Sequence, residues 1–323
     1  MVSCIAGPLW NMILIVASLL LLFADTTAAQ SSVVDESIRA ALGAATAAAA
    51  VEESNPVVSV RFYGESQCPY CRKFVEEAWP TVWNDAELME HVDYDFIAWG
   101  NAYFATPKCS SQSDHSTYDP QERACWYKEC IETSTDNPDE CFSPDKVIYQ
   151  HSVKEGQVDI YEMCVKMHYG LEAGVDFTYC CEGPNMDDPH LAGAQDLLLK
   201  CSTSSSSSDR NRNATQVLDP HLIHECYKTL GHSIEVQAAK ATPSHPGVPY
   251  VLVDGEFVED PFSIQKAICD KLKQKKKQQM EEPATDVMPF SLPKACTDES
   301  LADTMDSSSN GREGTAVPLA AQR

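Results

Sequence analysis

Cys68 and Cys71 stand two residues apart in the run QCPYCRK, and cysteines at that spacing support two kinds of chemistry. They can form half of a zinc site, or they can cycle between dithiol and disulfide. A structural zinc site needs a second such pair, and no partner CxxC occurs in the chain. The redox reading requires a thiolate, because the thiolate and not the thiol attacks a disulfide. Cys68 is expected at a helix start, where free backbone N–H groups and the helix dipole favour an anion. Arg72 and Lys73 follow within the first turn and are expected to support that thiolate. Cys71 lies one turn further in, placed to attack a mixed disulfide at Cys68 and release the reduced substrate. Pro69 shapes the loop without removing a needed donor. The pattern assigns Cys68 as nucleophile and Cys71 as resolving thiol.

Val248-Pro249 is the second element of interest. A cis proline facing the cysteine pair would leave the Val248 backbone free to orient an extended substrate segment. A trans proline at a strand edge is the competing reading. In HLIHEC, His221 and His224 share a helical face while Cys226 points elsewhere. A bridged Cys226 beside two surface histidines is therefore expected, and no metal site. The Lys271–Lys277 run (KLKQKKK) reads as a solvated helix end that complements the local dipole. No phosphate-binding glycine loop, Ser-His-Asp order or HExxH motif is present, and no cofactor is expected.

Several elements must position these residues. VVSVRFY at 57–63 is β-branched and aromatic between Pro56 and Gly64, which predicts a strand. The Gly64–Gln67 loop leads to CPYCRKFVEEAWPTVW, whose Phe74, Val75 and Ala78 have helical spacing. YDFIAW at 94–99 predicts a second strand closed by Gly100. Residues 103–219 form a long cysteine-bearing insertion, helical around 145–170, with a serine-rich loop at 204–208. Asp219-Pro220 opens a helix, with Asp as cap and Pro at the first position. VPYVLV at 248–253 followed by Asp254-Gly255 gives a strand and a hairpin turn. Pro261-Phe262 opens a last helix to about Lys275. This order predicts an α/β thioredoxin-like fold, with a cysteine-rich, largely helical insertion between the CxxC half and the proline half.

Compartment follows from charge, leader and cysteine count. The 323 residues hold 24 Lys+Arg against 48 Asp+Glu, a formal charge of −24. Phosphate repulsion at that charge argues against a nucleic-acid partner. Residues 57–272 carry 16 basic and 35 acidic side chains, and 273–323 carry 7 and 8, so the acidity belongs to the body. Residues 9–24 form an apolar run shorter than a spanning helix and are followed by TTAAQ, which predicts a signal peptide over 1–29. An uncleaved anchor is the alternative, and no stable membrane anchor is expected. Residues 30–56 read as an Ala-rich linker or pro-segment, 57–272 as the folded domain, and 273–323 as a basic, then polar, disordered tail. In an oxidising lumen most cysteines pair. With Cys68–Cys71 reserved for redox and Cys296 assigned to the tail, ten remain for five structural bridges of unknown pairing: Cys109, Cys125, Cys130, Cys141, Cys164, Cys180, Cys181, Cys201, Cys226 and Cys269. Asn213-Ala-Thr215 is the one glycosylation sequon.

The chain resembles the gamma-interferon-inducible lysosomal thiol reductase family. The stretches that carry the resemblance are VVSVRFYGESQCPYCRKFVEEAWPTVW, FIAWGNAYF, the Cys125–Cys141 cluster and DPHLIHECYKTLGHSIEVQAAKATPSHPGVPYVLVDGEFVEDPFSIQKAICDKL. In the last, Cys226, Pro249, Asp254-Gly255 and Cys269 match in order. The chain departs from the family's Gln-His-Gly run between the clustered cysteines, carries Tyr250 where many relatives have Trp, and has a Ser/Arg/Asn segment at 200–217. The resemblance implies thioredoxin-fold reduction of protein disulfides in endosomes or lysosomes, with a small thiol as electron donor. An oxidase or isomerase of the secretory pathway would use the same atoms at a higher potential. A glutaredoxin shares CPYC but lacks a leader and insertion, and a disulfide-stapled binding module with a vestigial CxxC is a non-enzymatic reading.

Overall fold

The computed structural model describes residues 56–109, 117–133, 138–144, 146–203, 217–281 and 290–297. The expected leader (1–29), most of the linker, Asn213 and the end of the tail lie outside them. All described residues belong to one compact unit, Ala45–Arg323.

β1 (Val58–Gly64) alternates as a half-covered strand must, with Val58, Val60 and Phe62 buried and Ser59 and Arg61 partly exposed between them. The first helix, α1, runs through three contiguous segments: Pro69–Lys73, Phe74–Ala78 and Trp79–Trp83. The middle segment winds as a π-turn. Pro80 has no N–H to return to the preceding turn, so the α ladder is interrupted there. α1 buries Phe74, Val75, Ala78 and Trp79. Phe74 stacks on Phe62 with centroids 4.7 Å apart, and Trp79 on Tyr94 at 3.9 Å. β2 (Val92–Ala98) then pairs parallel to β1, Val58 opposite Val92 and Gly64 opposite Ala98.

A second, two-stranded sheet joins β3 (Tyr103–Phe104) to β4 (Val147–Ile148). Between them lies α2, Pro120–Trp126 extended by the π-type segment Tyr127–Glu132. A core of Trp99, Tyr103, Phe104, Trp126 and Phe142 fills this region. α3 (Val153–Tyr169) and α4 (Leu171–Glu182) meet at Gly170, whose φ of 90° favours glycine. α5 (Ala194–Thr203) packs on both.

α6 (Pro220–Ala241) starts as its sequence predicts: Asp219 Oδ1 accepts from the His221 and Leu222 N–H groups at 2.9 and 3.4 Å, with Pro220 at the first position. β5 (Tyr250–Val253) pairs antiparallel to β1 and turns through Asp254 (φ 50°) and Gly255 (φ 78°) into β6 (Glu256–Phe257). The four-stranded order is β2-β1-β5-β6. α7 (Ile264–Glu281) buries Ile264, Ile268 and Leu272 along one stripe. The chain is thus mixed α/β, mostly helical, around a small sheet.

Two expectations need correction. Cys269 bonds to Cys296, while Cys181 remains a thiol. The other bridges are Cys109–Cys125, Cys130–Cys141, Cys164–Cys226 and Cys180–Cys201. Cys180 and Cys181 are adjacent on α4 and so point about 100° apart; Cys180 meets α5 and Cys181 turns into the interior, 2% exposed. The tail also does not begin at 273. α7 continues to Glu281 because Lys271 pairs with Glu256 at 2.5 Å and Lys275 with Asp254 at 3.0 Å, fastening the lysine run to the β5–β6 hairpin.

Candidate functional site

The loop leaving β1 delivers Cys68 as the N-cap of α1 (φ −77°, ψ 119°). Its sulfur takes the place of a capping oxygen: the Cys71 backbone N–H donates to Cys68 Sγ at 3.4 Å. Across the site the Val248–Pro249 bond is cis, and Val248 O lies 4.0 Å from Cys68 Sγ. The structure therefore brings Cys68, Cys71, Val248 and Pro249 together from segments 180 residues apart. Cys68 is 5% exposed and Cys71 fully buried.

The third side of the site comes from residues the sequence reading did not single out. His151 precedes α3, whose Glu155 folds back to accept from the Gln150 and His151 N–H groups at 3.1 and 2.8 Å. The carboxyl reaches past the N-cap Ser152 to the two residues before it, and so fixes the His151 backbone. The signal lay in HSVKE, where a histidine abuts a helix start. His151 Nε2 lies 3.3 Å from Glu65 Oε1. Glu65 is fully buried and accepts from Asn101 N at 2.6 Å and Asn101 Nδ2 at 3.4 Å. Gly100 sits against it at φ 57°, and a Cβ there would lie 2.2 Å from Glu65 Oε2. Only glycine fits both the backbone angle and the contact.

These contacts set opposite proton affinities for the two thiols. The Cys68 pKa is lowered to about 6, first by a hydrogen bond from the Cys71 side chain and then by His151 and the Cys71 N–H, against the cost of burial. His151 is raised to about 10 by its hydrogen bond to Cys68, then by Glu65. The two stabilise each other as thiolate and imidazolium. Cys71 is pushed up, chiefly by burial. Beneath it lies a floor of carboxyls. Burial raises Glu155 to about 10 and pushes Asp159, Glu162 and Glu182 upwards as well. Asp159 Oδ1 accepts from the Ser66 N–H at 2.8 Å, tying this floor to the active loop.

Arg72 and Lys73 are not brought to the thiolate. Arg72 pairs with Glu76 at 3.2 Å and with Asp187, and Lys73 sits 4.7 Å over the Phe262 ring. On a helix these side chains project sideways from the first turn, towards partners at i+4, while the N-terminal N–H groups face the sulfur. In HLIHEC, Cys226 is bridged as expected and His221 is exposed, but His224 is half-buried, its Nδ1 3.0 Å from the Tyr161 hydroxyl. One donor set among the described residues suits a metal ion: Glu65, Cys68 and His151, with one ligand atom from each all within 4.8 Å of one another. No helix of the described residues is long and apolar enough to cross a membrane.

No curated protein sequence matches the chain. A family model does match, over residues 59–205, a range that holds Cys68, Cys71, Glu65 and His151 and ends before Val248. That model is the gamma interferon inducible lysosomal thiol reductase family, and residues 59–205 of the chain are similar to it.

Proposed function

We propose that the chain is a thiol–disulfide oxidoreductase that reduces protein disulfides in the endosomal/lysosomal or secretory pathway. Its fold is read as thioredoxin-like, interrupted by the 103–219 insertion. The observation that carries the reading is the Cys68 sulfur, capped by the Cys71 N–H, within 4.8 Å of a His151 ring nitrogen and 4.0 Å from the Val248 carbonyl. A capped sulfur beside an imidazolium is an activated nucleophile, and the Val248-Pro249 backbone beside it is a place to lay a peptide.

In this mechanism the Cys68 thiolate attacks one sulfur of a substrate disulfide. A mixed disulfide forms, and the departing substrate thiolate takes a proton. Cys71 then loses its proton and attacks Cys68 Sγ, releasing the second substrate thiol and leaving Cys68–Cys71 oxidised. A small-thiol donor returns the two electrons. Val248 and Pro249 hold the substrate strand during both steps. The test is reduction of a denatured disulfide protein with a thiol donor. Turnover by the wild type and none by Cys68→Ser supports the assignment, and equal turnover by both refutes it.

One observation favours a second reading. A low pKa at Cys68 stabilises the reduced form and so raises the reduction potential, the property of a disulfide oxidase or isomerase. A measured Cys68–Cys71 potential near that of a disulfide isomerase, about −180 mV, would favour that direction.

A further inference from the structure

Glu65, Cys68 and His151 are more than a thiolate's surroundings. Tetrahedral zinc with bonds of roughly 2.0–2.3 Å spaces its ligand atoms roughly 3.3–3.8 Å apart. The Glu65 Oε1 to His151 Nε2 distance of 3.3 Å falls in that range, and all three donors lie within 4.8 Å of one another. Thiolate, imidazole and carboxylate together form a borderline-soft set of the kind zinc prefers over calcium or magnesium. Three protein ligands would leave the fourth position open to water or a small thiol.

The supporting shell is already built. Asn101 holds Glu65 through its N–H and its side chain, and Gln150 Oε1 accepts from Asn101 Nδ2 at 2.5 Å. Glu155 holds the His151 backbone at 2.8 Å. Outer contacts of this kind orient metal ligands before the ion arrives. There is also an entry path, since the His151 side chain is 30% exposed while Glu65 is fully enclosed.

We propose that Glu65, Cys68 and His151 form a reversible site for a zinc-type divalent cation, and that its occupation holds the nucleophile out of catalysis. Binding places the cation between thiolate and imidazole and expels the proton they share. Oxidation of Cys68 to the Cys68–Cys71 disulfide removes the thiolate ligand, so the site exists only in the reduced enzyme. The chemistry couples metal availability to redox state within one site. This inference rests on the proposed role of Cys68 as nucleophile.

The test uses the full-length protein, reduced and then freed of thiol, titrated with Co2+ as a spectroscopic probe and with Zn2+ in competition. The expected result is one equivalent bound, with a thiolate-to-cobalt charge-transfer band that Zn2+ abolishes. The Cys68–Cys71 disulfide form gives no band. His151→Ala and Glu65→Gln each weaken Zn2+ by more than about tenfold, in line with the loss that even an outer-shell contact causes. A far-ultraviolet spectrum matching wild type excludes misfolding of Glu65→Gln, and the half-exposed His151 gives a second, milder variant. Absence of binding, equal binding by the disulfide form, or binding by the two thiols that ignores both variants would each overturn the site. Disulfide reduction measured with excess chelator separates this failure from that of the reductase reading: a chain that binds Zn2+ but never reduces refutes the function alone, and one that reduces but ignores Zn2+ refutes the site alone.

Discussion

The mouth and the floor of the site are one helical turn apart and treat a thiol in opposite ways. At the mouth, Cys68 has a helix N-terminus, a hydrogen-bonding thiol and a histidine, and its pKa falls to about 6. At the floor, Cys71 meets apolar burial and carboxyls, and its pKa rises. Burial acts on both. What differs is whether hydrogen-bond donors reach the sulfur to repay it. The attacking and waiting roles proposed for these two cysteines would thus come from their surroundings and not from their covalent chemistry. Cys181 shows the floor without the mouth: it is buried near Glu162 and Glu182, and burial and those carboxyls raise its pKa. It is expected to be an inert thiol.

The largest break in the comparison is removal of either sulfur. Cys68→Ser abolishes disulfide reduction, whereas Cys71→Ser retains the first attack and accumulates a mixed disulfide with substrate, visible by intact mass. If Cys71→Ser releases product at the wild-type rate, the waiting role is wrong.

Next comes the dependence of stability on pH, which belongs to the floor. Glu155 has a folded pKa of about 10 against an ordinary value near 4.5, so the fold holds its proton. Below about pH 4.5 both folded and unfolded chains are protonated there and nothing is lost. As pH rises above it, the unfolded chain sheds a proton that the folded chain keeps, and stability falls by about 1.4 kcal/mol per pH unit for each such carboxyl. Asp159, Glu162 and Glu182 shift in the same direction. His151 and Cys68 offset each other here: the raised imidazole pKa loses stability as pH climbs above about 6.5, while the lowered thiol pKa gains it above about 6. Denaturant midpoints should therefore drop between pH 5 and 7.5, and less steeply in Glu162→Gln. A midpoint that rises over that interval contradicts the protonated floor.

A bridge of the body offers a contrast of similar size with no pH signature. Cys269–Cys296 closes a 27-residue separation, and Cys296→Ser should cost roughly 2–4 kcal/mol. Mild reductant should expose Cys68 and Cys71 to alkylation well before Cys164 or Cys226. Labelling in the reverse order would show that the site disulfide is structural.

His151→Ala sharpens the mouth. Loss of the imidazole raises the Cys68 pKa and slows reduction in acid by roughly three- to fourfold per unit of rise, because the thiolate fraction falls faster than nucleophilicity grows. The smallest effect belongs to Arg72→Ala and Lys73→Ala, whose charges are paired elsewhere. Either variant should leave the Cys68 titration where it is, and a shift as large as that of His151→Ala would restore them to the thiolate.

Much of this was legible in residue order. Val58–Phe62, the Asp219-Pro220 helix start and the Asp254-Gly255 turn are local signals, and each appears at its predicted place. The cysteine pair was legible because its chemistry lies in spacing. His151 and Glu65 were not, since their meeting depends on how α3 packs against the loop after β1, 86 residues away in sequence. Arg72 and Lys73 were misread for the complementary reason: adjacency in sequence was taken for adjacency to the sulfur, and on a helix surface it is not. Cys181 and Cys296 show the same limit, because disulfide partners follow from helix faces and not from cysteine count.

The most direct test of the contrast between mouth and floor is the pH dependence of alkylation at Cys68 and Cys71, followed by mass spectrometry on the reduced protein with a chelator present. The predicted result is a midpoint near 6 for Cys68, lifted in His151→Ala, with Cys71 unreactive until well above pH 9. Midpoints for both thiols together near 8.5, unmoved by His151→Ala, would contradict it.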